Sequence, residues 1–178
     1  MWRASSPGVF DFVTRALVAI SGPHYKIHSG DYYAISHSVL LDNVDSTVFW
    51  FKSPDTATEI HMVLTADVAL AATIRLWPAT TKTYAAGNAL TIGNLHGNSS
   101  NTSEVLVCHT PGGTQTGAAP FIHYVRSTSK EGAVGGQSNG RRERILARNT
   151  AYMMSVESRA DENAVTIFMD FYEHISLG

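Results

Sequence analysis

The sequence predicts an all-β domain, an antiparallel β-sandwich or jelly roll with a short N-terminal arm. Three observations lead there. Apolar and polar side chains alternate along most of the chain after residue 24, the pattern of half-buried strands. Charged residues are only 16% of the 178, against a usual ~25%. Uncharged Ser and Thr, 17 of each, supply the missing polarity, and with the aromatic residues they favour strands and turns. A mass of 19.3 kDa suits one domain with a real core.

Residues 1–14 form the arm and residues 15–178 the sandwich. Ser5, Ser6 and Pro7 suit a helix start, and Val9, Phe10, Val13 and Leu17 keep a helical spacing. Leu17–Ile20 equally suits a strand, so a docking arm and a first core strand both remain open. His24–His28, Tyr32–Leu40 and Thr47–Lys52 read as strands, divided by Ser29-Gly30-Asp31 and Asp42-Asn43. Thr58–Thr65 places Ile60, Met62 and Leu64 on one face and His61, Val63 and Thr65 on the other. Ala72, Ile74 and Leu76 alternate in the same way with Thr73, Arg75 and Trp77. Pro78–Asn101 is turn-rich and reads as a long surface loop with one short strand at Leu90–Ile92. Glu104–His109 and Phe121–Val125 are the next strands, separated by the Pro111-Gly112-Gly113 turn.

Ser127–Arg142 is rich in Gly and Ser and lacks an apolar period, so it cannot bury enough surface to order itself. Two strands close the chain. Tyr152, Met154 and Val156 share a face of the first, and Val165, Ile167, Met169 and Phe171 share a face of the second. No fixed-period repeat is evident. Eight to ten short strands at a spacing near ten residues imply two sheets packed face to face.

The net charge of −2 and pI near 6.4 weigh against a free-standing nucleic-acid binder. One cysteine, Cys108, excludes a disulfide framework and a thiolate zinc cage within one chain. No apolar run reaches the ~18 residues of a membrane span. Val9–Ile20 carries Asp11 and Arg15 and is followed by no small-residue cleavage site, so it does not read as a signal peptide.

Eight histidines invite a metal reading. His24 and His28 would share a strand face. His37, His61, His109, His123 and His174 are scattered singly. A mononuclear site on a jelly roll wants two histidines at i and i+2 with a carboxylate, and no His-x-His occurs; surface or half-buried imidazoles are the expectation. Gly136-Gln137-Ser138-Asn139-Gly140 matches the nucleophile-elbow string but lacks the strand before it and the helix after it. No phosphate-binding or dinucleotide fingerprint is present. Asp170 and Glu173 are three apart on a strand and point to opposite faces, so they form no acid/base dyad. Asn98-Ser99-Ser100 and Asn101-Thr102-Ser103 are formal glycosylation sequons that read as hydrogen-bonding turns. Arg141, Arg142, Arg144 and Arg148 cluster beside the Gly/Ser segment, where they would grip an acidic surface or simply face water. Trp50, Trp77, Phe49, Phe51, Phe168, Phe171 and Tyr172 read mostly as core. Phe168 and Tyr172, opposite the Ile167/Met169/Phe171 face, suit a surface for a neighbouring subunit.

Five strings stand in order along the chain: His24-x-x-Ile27-His28-x-Gly30-Asp31-Tyr32-Tyr33, Ser53 to His61, Asn98 to Ser103 before a strand ending in His109, Ile145 to Tyr152, and Phe171-Tyr172-Glu173-His174. Together they resemble a group of bacteriophage virion structural proteins. They cover most of Arg15–His174; Leu90–His96 departs from the group's usual turn. The resemblance implies a capsid-decorating or other particle-surface protein, a β-sandwich that assembles as an oligomer, often a trimer. It implies no catalytic residues.

The leading expectation is therefore a capsid decoration (cement) protein on the outer shell of a virion, homotrimeric and bound to the phage major capsid protein. No cofactor, metal, nucleic acid or membrane is expected to take part. The interface candidates are Trp2, Val9, Phe10, Phe12 and Val13 of the arm, and Arg141, Arg142 and Arg144 beside the flexible segment. The alternative is a tail, baseplate or head-fibre component binding host carbohydrate on Trp2, Trp77 and Tyr84. A metal-dependent jelly-roll enzyme is the third reading.

Overall fold

A computed structural model of the chain describes residues 9–11, 16–18, 22–126 and 143–175, with side chains described for 24–126 and 143–174. The arm contributes β1 (Val9–Asp11), which pairs antiparallel with β2 (Ala16–Val18) just beyond it. The boundary between residues 14 and 15 thus falls between the two strands of this hairpin.

His24–His28, expected as a strand, lies in the helix α1 (Gly22–Ser29). Pro23 suits its first turn. Gly30, at φ 76°, closes its end: Gly30 N–H donates to Ile27 O at 3.1 Å and Asp31 N–H to Lys26 O at 3.0 Å, the paired bonds of a Schellman stop. A Cβ at Gly30 would lie 2.3 Å from Ser99 Oγ, so both backbone angle and space demand glycine. The residues at i and i+4 that share a strand face also share a helix face, which is why five residues did not distinguish the two.

The body is two five-stranded antiparallel sheets. Its strands are β3 (Tyr32–Leu41), β4 (Ser46–Lys52), β5 (Thr58–Val68), β6 (Ala72–Trp77), β7 (Gly93–Asn94), β8 (Leu106–His109), β9 (Phe121–Val125), β10 (Arg144–Ile145), β11 (Ala151–Ser158) and β12 (Asn163–Ile175). The first sheet has the order β10-β5-β12-β3-β7 and the second β8-β4-β11-β6-β9. Six of the seven steps among the eight strands β3, β4, β5, β6, β9, β10, β11 and β12 change sheet; only β6 to β9 stays within one. That is jelly-roll connectivity. The short strand expected at Leu90–Ile92 is displaced to Gly93–Asn94, while Leu90 and Ile92 pack against the core. No described helix is long and apolar enough to cross a membrane.

The core fills the space between the sheets. Val165, Ile167, Met169 and Phe171 of β12 are buried, as the alternation predicts, against Phe49, Phe51, Met154 and Val156 of the second sheet. Burying each such side chain contributes about 1.5–3 kcal/mol. Tyr33 stacks on Phe171 and Phe51 on Tyr152, each with ring centroids 5.3 Å apart. His37 and His109 stack at 5.0 Å within this inter-sheet space.

The second sheet has another buried layer on its outer face. Trp50, Cys108 and Met153 are buried there, with Val48, Trp77 and Ala85 against them. The 78–90 loop covers them: Trp50 Nε1 donates to Lys82 O at 3.1 Å, and Tyr84 packs on the Trp50 ring at 5.8 Å.

Candidate functional site

Among the interface candidates, Trp2, Phe12, Val13, Arg141 and Arg142 lie outside the described residues, as does the whole 127–142 segment. Val9 and Phe10 sit in β1, where only the backbone is described. Arg144 lies on β10, the edge of the first sheet, with its guanidinium 5.2 Å over the Phe121 ring of β9, the edge of the second. This contact ties the two sheet edges together by a cation–π attraction. On the same two edge strands Phe121, Ile122, Tyr124 and Ile145 are all exposed, the last two by 64% and 62%. An exposed edge strand with apolar side chains is a template for association.

Of the three sugar-platform candidates, two lie among the described residues. Trp77 is half-buried and its indole Nε1 is enclosed. Tyr84 remains exposed, and Trp2 is outside the described residues.

The strings that carry the resemblance meet one another. Asn101 Nδ2 donates to Asp31 Oδ1 at 3.2 Å, and Ser103 Oγ to Glu173 Oε1 at 2.5 Å. In a second knot, Ser53 Oγ donates to Ala147 O at 2.6 Å, Arg148 Nε to Asp55 Oδ1 at 2.7 Å, and Ala147 N–H to Tyr152 Oη at 2.7 Å. These residues stitch turns to strands, so the reading of the Asn/Ser string as hydrogen-bonding turn residues holds for Asn101 and Ser103.

The most concentrated chemistry was not apparent from the sequence. Register pairs His61 of β5 with Tyr172 of β12, and Glu59 with His174. All four point away from the core, on the outer face of the first sheet. His174 Nε2 lies 2.8 Å from His61 Nε2 and 3.7 Å from Glu59 Oε2. His61 Nδ1 lies 2.6 Å from Glu143 Oε1, which also accepts the Tyr172 hydroxyl at 2.6 Å. Tyr32, Tyr172, His61 and His174 form a row of neighbouring rings across β3, β12 and β5, with centroids 4.6–6.0 Å apart. Burial first, then His61 and Lys26, hold the His174 imidazole below its ordinary value, while Glu59 pulls it the other way. Burial and the Glu143 carboxylate push the Tyr172 hydroxyl up.

A search for His-x-His misses this arrangement because its two histidines are 113 residues apart. The signal present in the sequence was Glu59-x-His61 on an outward strand face; only the pairing register supplies His174. Two other histidine pairs exist, His24 with His28 at 3.0 Å on exposed helix α1 and His37 with His109 between the sheets. Six of the eight histidines thus stand in pairs.

No family model, curated protein or solved structure matches the chain.

Proposed function

We propose that the chain is a structural virion protein, a capsid decoration (cement) protein that sits on the outer shell as a homotrimer and bridges major capsid subunits. The ordered sequence strings motivate this reading. The observation that carries it is the exposed apolar rim of Phe121, Ile122, Tyr124 and Ile145 where the edges of both sheets meet. A rim of this kind is covered when subunits associate, and aromatic residues with few charges suit such contacts. The low charge of the whole chain, 16%, fits the same role. Jelly rolls occur in capsid proteins, lectins and cupins alike, so the fold supports this reading by analogy only. Each rim contact is modest, and several engaged at once hold an oligomer firmly on a shell.

The test is mass spectrometry and copy counting on purified particles. Copies comparable with the major shell subunit are expected. A few copies per particle would support the tail or fibre reading, and absence from the particle would overturn the virion role. Light scattering on the purified chain is expected to show a trimer, and Ile122→Asp with Tyr124→Asp to reduce it to a monomer.

A further inference from the structure

We propose that Glu59, His61 and His174 bind one divalent transition-metal ion, zinc by preference, on the outer face of the first sheet. This does not depend on the virion reading.

The geometry comes from the strand pairing. Glu59 and His61 are two apart on β5 and so share a face, and His174 stands opposite Glu59 on β12. One donor atom from each residue lies within 4.8 Å of the other two. Two atoms on one tetrahedral zinc, each about 2.0–2.2 Å from it, sit roughly 3.3 Å apart. The His61–His174 separation of 2.8 Å and the His174–Glu59 separation of 3.7 Å bracket that value. Small side-chain rotations, with the proton shared between the two Nε2 atoms shifted to His174 Nδ1, therefore suffice to admit the ion.

The support around the donors points the same way. Glu143 is a carboxylate, so His61 Nδ1 must carry the proton it shares at 2.6 Å. In the neutral imidazole this places the lone pair on His61 Nε2, facing His174 and Glu59. A carboxylate behind an imidazole fixes its tautomer and raises its basicity, one of the usual supports of metal-ligating histidines. Tyr172 donates to the same Glu143 oxygen and stacks on His61 at 4.7 Å, which holds both groups in place.

Donor type selects the ion. Two imidazoles and one carboxylate suit zinc and its neighbours, whereas calcium and magnesium want oxygen throughout. Glu59 and Glu143 together match the charge of a divalent ion. The side chains of His174 and Glu59 are 28% and 39% exposed, so water reaches a fourth position. The packed interior between the sheets takes no part. The ion would link the end of the last strand to its neighbour.

The competing arrangement is a plain hydrogen bond between two neutral imidazoles. The competing location is the exposed His24/His28 pair, also suitably spaced for chelation on α1. One experiment separates all three. Untagged full-length chain is stripped with chelator and titrated with zinc chloride by calorimetry, and with cobalt(II) chloride by visible absorption. We expect one equivalent bound, cobalt bands of a four- or five-coordinate site, and a higher melting temperature with zinc. His174→Ala and Glu59→Gln should weaken zinc binding at least about tenfold, and Glu143→Gln about 10–100-fold. His24→Ala with His28→Ala should leave it unchanged. Glu59→Gln and Glu143→Gln keep side-chain volume, so the test survives should the alanine variant fold poorly. No binding at millimolar zinc, or unchanged binding in His174→Ala and Glu59→Gln, would overturn the proposal in favour of the hydrogen bond. Loss in the helix double variant would overturn it in favour of α1.

Discussion

The neighbouring strands of sequence β11 and β12 meet their surroundings in opposite ways. In β12, burial alternates strictly from Asn163 to Phe171, with every second residue turned outward. In β11, Met153, Met154, Ser155 and Val156 are all buried in succession. The two strands belong to different sheets, and the difference lies in what covers each outer face. Over the second sheet, the 78–90 loop seals Trp50, Cys108 and Met153. Over much of the first sheet the outer face carries Ser36, Ser38 and Phe168, open to water, half-buried Thr166, and the Glu59/His61/His174 cluster. A strand covered on both sides loses the polar half of its pattern; one covered on a single side keeps it. The sealed face adds packing, and the open face is where polar chemistry accumulates.

This contrast is broken most directly by cutting away the sealed layer. Trp50 is 2% exposed and hydrogen-bonded to its covering loop, so Trp50→Ala should cost about 3–5 kcal/mol in urea unfolding. A loss below ~1 kcal/mol would mean that the loop does not seal this face. On the open face, Tyr172→Phe removes one hydroxyl bond to Glu143 and should cost about 0.5–1.5 kcal/mol by the same measurement.

A pH series sharpens the comparison by setting interior histidines against those outside. Burial, then the neighbouring His109, lowers the folded pKa of His37. Below the ordinary imidazole value the unfolded chain binds the proton more readily than the folded one. This contribution is therefore present at neutral pH and is lost as pH falls through the lowered folded value. Stability should decline on acidification in that window, and less steeply in His37→Gln; equal slopes would remove His37 as a cause. The smallest effect belongs to Phe168→Ser on the open face, where a 41% exposed ring should change stability by no more than about 0.5 kcal/mol. A much larger loss in the purified chain would show that a neighbouring copy covers Phe168.

Periodicity, with the low charge and the Ser- and Thr-rich composition, pointed to a two-sheet β-sandwich and to the inward residues of its regular strands. Ile60, Met62, Val165, Ile167, Met169 and Phe171 all alternate in sequence and all are buried, because a strand's side chains project by turns to opposite faces whatever its partners. Local sequence also marked the turn at Gly30, although not that a helix precedes it: five residues between two turn signals carry too few periods to tell α from β. Only the tertiary structure decided which strands are neighbours, and with them the jelly-roll order, the loop-sealed Trp50 layer and the meeting of His61 with His174. Those depend on contacts between residues far apart in the chain. Periodicity states which face a side chain occupies, but pairing register, set by how the whole core packs, states what stands beside it.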